Sequence, residues 1–337
     1  MDDQVIMVLD FPILMVAAPS LSFVIAFFSI LWLIKRNPTW ALDHPNSRSL
    51  HTIPIPRIGG LGLLLGVIVV WLLFSVTALP ISVWIGISLL IAVSLADDIW
   101  HIPVSYRLLI QSVAAIGFSL AQLLDSHGWA VTLCAIIWII WMSNLYNFMD
   151  GSDGLAGGMA VIGFGYYGLF AYLTGHYDFA IVNFTIASAA MAFLVHNFFP
   201  ARIFLGDAGS ISLGFLAAVL GILGGLNDTW SVWVPVLIFS PFIADSTVTL
   251  IKRLVRGEKI WQAHREHYYQ CIIQRGFGHR NMALLAYVLM LASGGSAVWA
   301  GLQDLTVQYW VVVIWTSIYL ILMFISDWNQ KYYPHQG

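Results

Sequence analysis

Long apolar runs alternate with short polar stretches along the whole chain. A helix needs about 20 apolar residues to cross the hydrocarbon core of a bilayer. By that measure eleven runs qualify as spans, at about 11–34, 58–76, 80–96, 107–124, 129–143, 158–174, 178–198, 209–225, 231–251, 283–302 and 307–326. Several are short or carry Gly and Pro, which membrane helices tolerate when neighbouring helices satisfy the freed backbone groups. The pattern predicts an all-α integral membrane protein, a polytopic bundle of about eleven transmembrane helices in one domain over residues 1–337.

Charge orients that bundle. If the N-terminus lies outside, the odd-numbered spans deliver the chain to the cytoplasm. All fourteen Lys and Arg residues then fall on the inner side, from Lys35, Arg36, Arg48 and Arg57 to the seven between Lys252 and Arg280 and finally Lys331. The outer segments carry acids only: Asp2, Asp3, Asp10, Asp125, Asp178, Asp228 and Asp304. This is the distribution that the positive-inside rule describes, and it predicts an outer N-terminus and a cytoplasmic C-terminus.

Composition narrows the class further. Of 337 residues, 60% are hydrophobic and 9% charged, against about 25% charged in a soluble domain. No basic patch of nucleic-acid type is present, so nucleic acid is not an expected partner. Cys134 sits in an apolar run and Cys271 in a basic loop, which supports neither a disulfide framework nor a zinc site. The opening Met-Asp-Asp-Gln lacks the positive n-region of a cleavable signal, so the first run is expected to remain as a span.

The polar clusters obey the same parity as the basic residues. The loop from Asn144 to Gly158 holds Asn144, Asn147, Asp150, Asp153 and four glycines. Carboxylates suit a hard cation, and amides and backbone N–H groups suit a phosphate or a base edge; an ordinary turn is the alternative. Asp97 and Asp98 end the third span, where neighbouring carboxylates repel unless a cation or proton lies between them; a solvated helix end is the alternative. Gly206-Asp207-Ala-Gly-Ser210 opens an apolar helix and reads either as an anion-binding helix start or as a simple Asp cap. His51 and Arg57, among two prolines and two glycines, resemble a stiff phosphate-facing loop. His264 and His267 are three apart, on one face if that loop is helical. Every such cluster faces the inner side, which is what one shared active site requires and what scattered turns do not. Magnesium is commonly held by one or two carboxylates plus substrate phosphates. No Walker-A loop or dinucleotide fingerprint appears. Two other classes stay open on these residues: a secondary transporter with intramembrane acids, although no internal repeat is visible, and a non-enzymatic scaffold.

His51-x-x-Pro-x-Pro-Arg57-x-Gly-Gly, Asp97-Asp98, Asn144-x-x-Asn147-Phe-Met-Asp150-Gly-x-Asp153-Gly-Leu-Ala and Gly206-Asp207-x-Gly-Ser together resemble the polyprenyl-phosphate N-acetylhexosamine-1-phosphate transferases. The resemblance runs from about His51 to Arg280. It implies Mg2+-dependent transfer of a sugar 1-phosphate from a UDP-N-acetylhexosamine to undecaprenyl phosphate, with release of UMP; Mn2+ is an alternative metal. It places the chain in the bacterial inner membrane, with the site on the cytoplasmic face, at the start of O-antigen or other surface polysaccharide synthesis. A homodimer is compatible with it. By resemblance Asp207 is the metal ligand, Asp97 deprotonates or orients the lipid phosphate, and Asp98 supports that site. Asn147, Asp150 and Asp153 line the nucleotide–diphosphate pocket with Asn144, and Arg107 meets a phosphate. The loops expected to form the site are about 35–57, 97–107, 144–158, 199–209 and 252–282. The last departs from the family's run of consecutive histidines, reading His264-Arg265-Glu-His267-Tyr268-Tyr269-Gln270. Arg265 and His267 are expected to donate to diphosphate oxygens. Tyr268 to Gln270 are expected to help choose the sugar or, alternatively, to anchor the loop at the interface.

Overall fold

The structure, a computed structural model, describes residues 11–43, 54–100, 102–259 and 264–332. It is almost wholly helical. In chain order come α1 (Phe11–Arg36), a two-residue antiparallel pair β1 (Leu42–Asp43) and β2 (Ile55–Pro56), α2 (Gly59–Phe74), α3 (Ile81–Trp100), α4 (Val104–Phe148), α5 (Leu155–Leu173), α6 (Tyr177–Asn197), α7 (Gly206–Leu226), α8 (Trp233–Ile238), α9 (Ser240–Val255), α10 (Tyr268–Ile272), α11 (His279–Gly301) and α12 (Leu305–Tyr332). Seven of these helices are long and apolar enough to cross a membrane, and Gly59–Phe74 and Ile81–Asp97 are shorter apolar helices. The chain is an all-α, multi-pass membrane protein.

Helix α4 covers two of the expected spans. Gly128 breaks its dihedral run with φ 72° and ψ 178°, a conformation that glycine adopts without a Cβ penalty. The Asn144 side-chain amide donates to Gln111 Oε1 at 2.8 Å. Along a straight helix those residues would stand roughly 50 Å apart, at about 1.5 Å per residue. Thus α4 is a hairpin of two antiparallel arms folded at Gly128. The expected span 231–251 is also divided, into α8 and α9 at Phe239. Pro241 has no N–H to give the carbonyl four residues back, and the Ser240 hydroxyl donates to that carbonyl, Leu237 O, at 2.6 Å.

Helix α7 is the centre of the bundle, with Ala208 through Leu220 all buried. A helix apolar on every side belongs inside other helices, and α2, α3, α4 and α5 surround this one. At the rim, α12 exposes Leu320, Ile321, Phe324 and Ile325, as a lipid-facing helix does. Small residues let the central helices approach closely. A Cβ on Gly60 would lie 2.5 Å from Gly209 N and 2.7 Å from Leu205 O.

Candidate active site

The start of α7 is brought to the other polar clusters by backbone pairing. Phe204 N–H donates to Pro56 O at 2.7 Å, and Gly59 and Gly60 N–H donate to Phe204 O and Leu205 O at 2.8 and 2.9 Å. The segment ending in Arg57 therefore runs alongside the segment that carries Asp207. Gly206 has φ 72°, and its α-carbon backs onto the Arg57 carbonyl, where a Cβ has no room.

On this platform four elements converge. Arg107, in the first turn of α4, places Nη1 2.8 Å from Asp97 Oδ2 of α3 and in a second ion pair with Asp207 Oδ2 of α7. Asn147, at the far end of the same hairpin, donates to Asp207 Oδ1 at 3.0 Å and to Ser210 Oγ at 2.8 Å. One guanidinium thus bridges two carboxylates, and its Nε is buried without a hydrogen-bond partner among the described residues. Asp150, in the loop after α4, completes the group. Burial first, and the nearby Asp207 carboxylate second, push its carboxyl well above the usual range, against the Gly206 backbone N–H that holds it down. A carboxyl raised in this way keeps its proton more readily and can donate a hydrogen bond.

Other expected site residues make separate contacts. Asp153 is buried; its Oδ2 accepts from Ala201 N–H at 3.0 Å, and Oδ1 lies 3.9 Å from His279 Nδ1. His267 is buried with its ring stacked on Phe148 and on Tyr269, and His264 is 4.8 Å away between ring centroids. Burial, then His267, then Arg253 bring the His264 pKa down to about 4, so that ring is neutral near pH 7. Arg265 is half-buried next to them. His51 and the Asp98 side chain lie outside the described residues. Both tyrosine hydroxyls are engaged within the protein. Tyr269 is buried with its hydroxyl donating to Phe148 O at 3.0 Å, and the Tyr268 hydroxyl meets Lys252 and Asp327.

Asn144 faces its hairpin partner, with its amide shared between Gln111 Oε1 and Ile140 O. A buried polar pair that loses one member leaves the other unsatisfied, at about 1–3 kcal/mol. Asn144→Ala and Gln111→Ala are therefore expected to lower the melting temperature in detergent by similar amounts. Loss of turnover in Asn144→Ala at an unchanged melting temperature, with Gln111→Ala silent, would instead put Asn144 on the substrate.

Sequence reasoning passed over Asp245. It lies inside an expected span, is buried, and takes hydrogen bonds from the backbone N–H groups of Tyr268 and Tyr269, both at 3.0 Å. The signal was there, since an acid within a membrane segment is costly unless it has a specific partner.

The donor set also bears on a metal. Carboxylate and carboxamide oxygens are hard donors, and one or two carboxylates are the usual protein share for Mg2+. No group of three or more His, Cys, Asp or Glu side chains forms a cage among the described residues. The residues present fit a cation shared with phosphate oxygens.

The arrangement gathers three acids, an arginine and an amide at one end of a helical bundle, with a guanidinium that suits an anionic group. Comparison with known proteins places it. The profile of the family described as "Glycosyl transferase family 4" matches residues 80–225, a stretch that contains Asp97, Arg107, Asn147 and Asp207. A probable undecaprenyl-phosphate N-acetylglucosaminyl 1-phosphate transferase of Bacillus subtilis is 28% identical over 302 residues, covering 85% of this chain and 82% of the relative. A phospho-N-acetylmuramoyl-pentapeptide-transferase of Lacticaseibacillus paracasei is 30% identical over 241 residues, 64% of this chain and 74% of the relative. An undecaprenyl-phosphate alpha-N-acetylglucosaminyl 1-phosphate transferase of Yersinia pestis is 28% identical over 272 residues, 72% of each. The chain belongs to glycosyl transferase family 4, among the polyprenyl-phosphate hexosamine-1-phosphate transferases.

Proposed function

We propose that the protein transfers an N-acetylhexosamine 1-phosphate from a UDP-sugar to a polyprenyl phosphate, undecaprenyl phosphate in a bacterial inner membrane, and so begins a surface polysaccharide such as an O-antigen. The observation that carries the reading is Arg107, which spans Asp97 and Asp207 while its buried Nε has no partner among the described residues. A fixed guanidinium fork with a spare N–H suits a phosphate oxygen. In the reaction an oxygen of the lipid phosphate bonds to the phosphorus that bears the sugar. The bond from that phosphorus to the bridging oxygen breaks, and UMP leaves with that oxygen.

Phosphoryl transfer is chiefly positioning and charge stabilisation, and the roles divide accordingly. Arg107 binds phosphate oxygens. Asp97 orients the lipid phosphate or takes its proton. Asp207, steadied by Asn147, holds Mg2+ together with substrate oxygens, and that ion supplies neutralising charge to the diphosphate when bound. Asp150, Asp153 and the His267 loop surround the donor. Two of the relatives are named for N-acetylglucosamine, so UDP-GlcNAc is the first donor to test. Purified protein is to be incubated with undecaprenyl phosphate, Mg2+ and a panel of UDP-N-acetylhexosamines, with UMP as the readout. UMP release that needs both the lipid and one of these donors is the expected result; release from none of them sinks the reading.

The site is proposed to face the cytoplasm in an eleven-span topology with the N-terminus outside, supported by the one-sided Lys and Arg residues. A reporter fused after Gly337 is then expected to read cytoplasmic, and one placed at Asp178 periplasmic. A periplasmic C-terminus would change the parity and the count.

A further inference from the structure

We propose that Asp245 is a positioning residue that sets the orientation and tautomer of His267; the proposal rests on the transfer reading above. Asp245 is 7% exposed within α9, whose preceding residues Ser240-Pro-Phe-Ile-Ala carry no charge. A carboxylate there is unfavourable unless its acceptor positions are filled. They are filled by one short segment and one neighbour. Oδ1 receives Tyr268 N–H at 3.0 Å, the Thr249 hydroxyl at 3.3 Å and His267 Nδ1 at 3.2 Å, and Oδ2 receives Tyr269 N–H at 3.0 Å. Three donors crowd Oδ1 and one meets Oδ2, so both oxygens of the carboxylate are engaged as acceptors.

The consequence falls on the imidazole. Nδ1 faces an acceptor-only group, so the hydrogen-bond network assigns the proton to Nδ1 and leaves a lone pair on Nε2. Nε2 makes no hydrogen bond among the described residues, while the ring is held between Phe148 and Tyr269. Phe148 follows Asn147, which bonds Asp207. The carboxylate therefore leaves Nε2 as a free acceptor, contrary to the expectation that His267 donates to diphosphate oxygens, and it holds the ring, against the end of α4 that also carries Asn147, through the same two tyrosine N–H groups that start α10. A carboxylate serving the fold alone would be indifferent to the tautomer of that ring.

In Asp245→Asn an amide puts N–H donors where donors already point. Its kcat is expected to fall by about 10- to 100-fold, the scale on which losing a carboxylate that orients a metal-ligating histidine acts, with the KM for the UDP-sugar unchanged. His267→Ala is expected to lose a similar factor, and Asp245→Asn/His267→Ala to be no slower than the slower single variant, because residues acting as one unit are not additive. Multiplying losses, or a wild-type kcat in Asp245→Asn, would overturn the proposal. Should Asp245→Asn fail to accumulate, His267→Asn carries the kinetic test. Its side-chain amide can keep the bond to Asp245 but supplies nothing at Nε2, so it is expected to insert normally and lose the same factor in kcat; full turnover in it overturns the proposal. A readout independent of turnover separates this proposal from the transfer reading. In 15N-histidine-labelled wild type, His267 is expected as the Nδ1–H tautomer; an Nε2–H tautomer refutes the role of Asp245, whereas absence of UMP release with any donor refutes the transfer reading instead.

Discussion

Asp207→Asn is expected to lower UMP release by about 10²- to 10³-fold, the scale on which removing one preorganised electrostatic partner acts in a water-poor site. Asparagine keeps the shape and removes the charge. Arg107 would then have one carboxylate partner, Asp97, in place of two. Asn147, which now donates to Asp207 Oδ1, could still find an amide oxygen there, so the bundle is expected to insert and elute as wild type. A hard cation loses more, because a neutral amide is a weaker ligand than a carboxylate. Activity as a function of Mg2+ concentration is the measurement: the residual rate should need much more Mg2+, and near-normal turnover at ordinary Mg2+ would remove Asp207 from the metal. Asp97→Asn is expected to be comparably inactive but to retain donor binding in a filter or calorimetric assay, since its proposed partner is the lipid phosphate. Equal loss of donor binding in both variants would assign both acids to the nucleotide side.

The parts of this protein that were legible in its sequence are those governed by composition and local pattern. Apolar run length located the helices within a few residues, as for α1, α5, α6 and α7. The one residue that turns a 45-residue helix into a hairpin, Gly128, stood in an unremarked gap between two runs. Pairing was less legible. That Asp97, Arg107, Asn147 and Asp207 meet could be expected only from motif resemblance and their shared inner side, because three helices whose residues lie up to about 110 positions apart have no local signal of their contact. That Asn144 uses its amide on Gln111 could not be expected at all, since a helix end rich in Asn and Asp looks the same whether it clamps a hairpin or faces a ligand. The partners of Tyr268 and Tyr269 were hidden for a similar reason. An amphipathic ring suits a sugar, an interface or a buried strut equally well, and only packing shows that Tyr269 braces α10 against the end of α4. Asp245 was legible in principle, as a lone acid in an apolar span, and was overlooked because no motif surrounded it.

Gly214→Val is expected to abolish activity and to prevent accumulation of folded protein or lower its melting temperature sharply. The residue lies on the face of α7 that also carries Asp207 and Ser210, and that face packs on the last turns of α4. A Cβ at Gly214 would stand 2.5 Å from Met142 O, 2.7 Å from Ser143 Cα and 2.8 Å from Tyr146 Cβ. Two of these are backbone atoms, and Tyr146 is held by its hydroxyl, which donates to Ala156 O at 2.8 Å, so none can yield by rotating. Ordinary contact requires about 3.5–4.0 Å between carbons, so the helices would have to separate by about an ångström. Overpacking of a core typically costs about 1–3 kcal/mol, and here it acts at the centre of the bundle. The chemistry is hit as well. The Asn147 bonds to Asp207 and Ser210, at 3.0 and 2.8 Å, would be stretched beyond the usual N–H···O range of about 2.7–3.2 Å. Gly214→Ala, with the same Cβ and no further bulk, is expected to insert and melt somewhat lower while losing a larger share of kcat, because position at the site is less forgiving than stability. Gly165→Val on α5, where a Cβ meets nothing within 4 Å, is the control and is expected to turn over as wild type. If Gly214→Val melts and turns over like Gly165→Val, close approach of α4 and α7 is not what places Asn147 against Asp207.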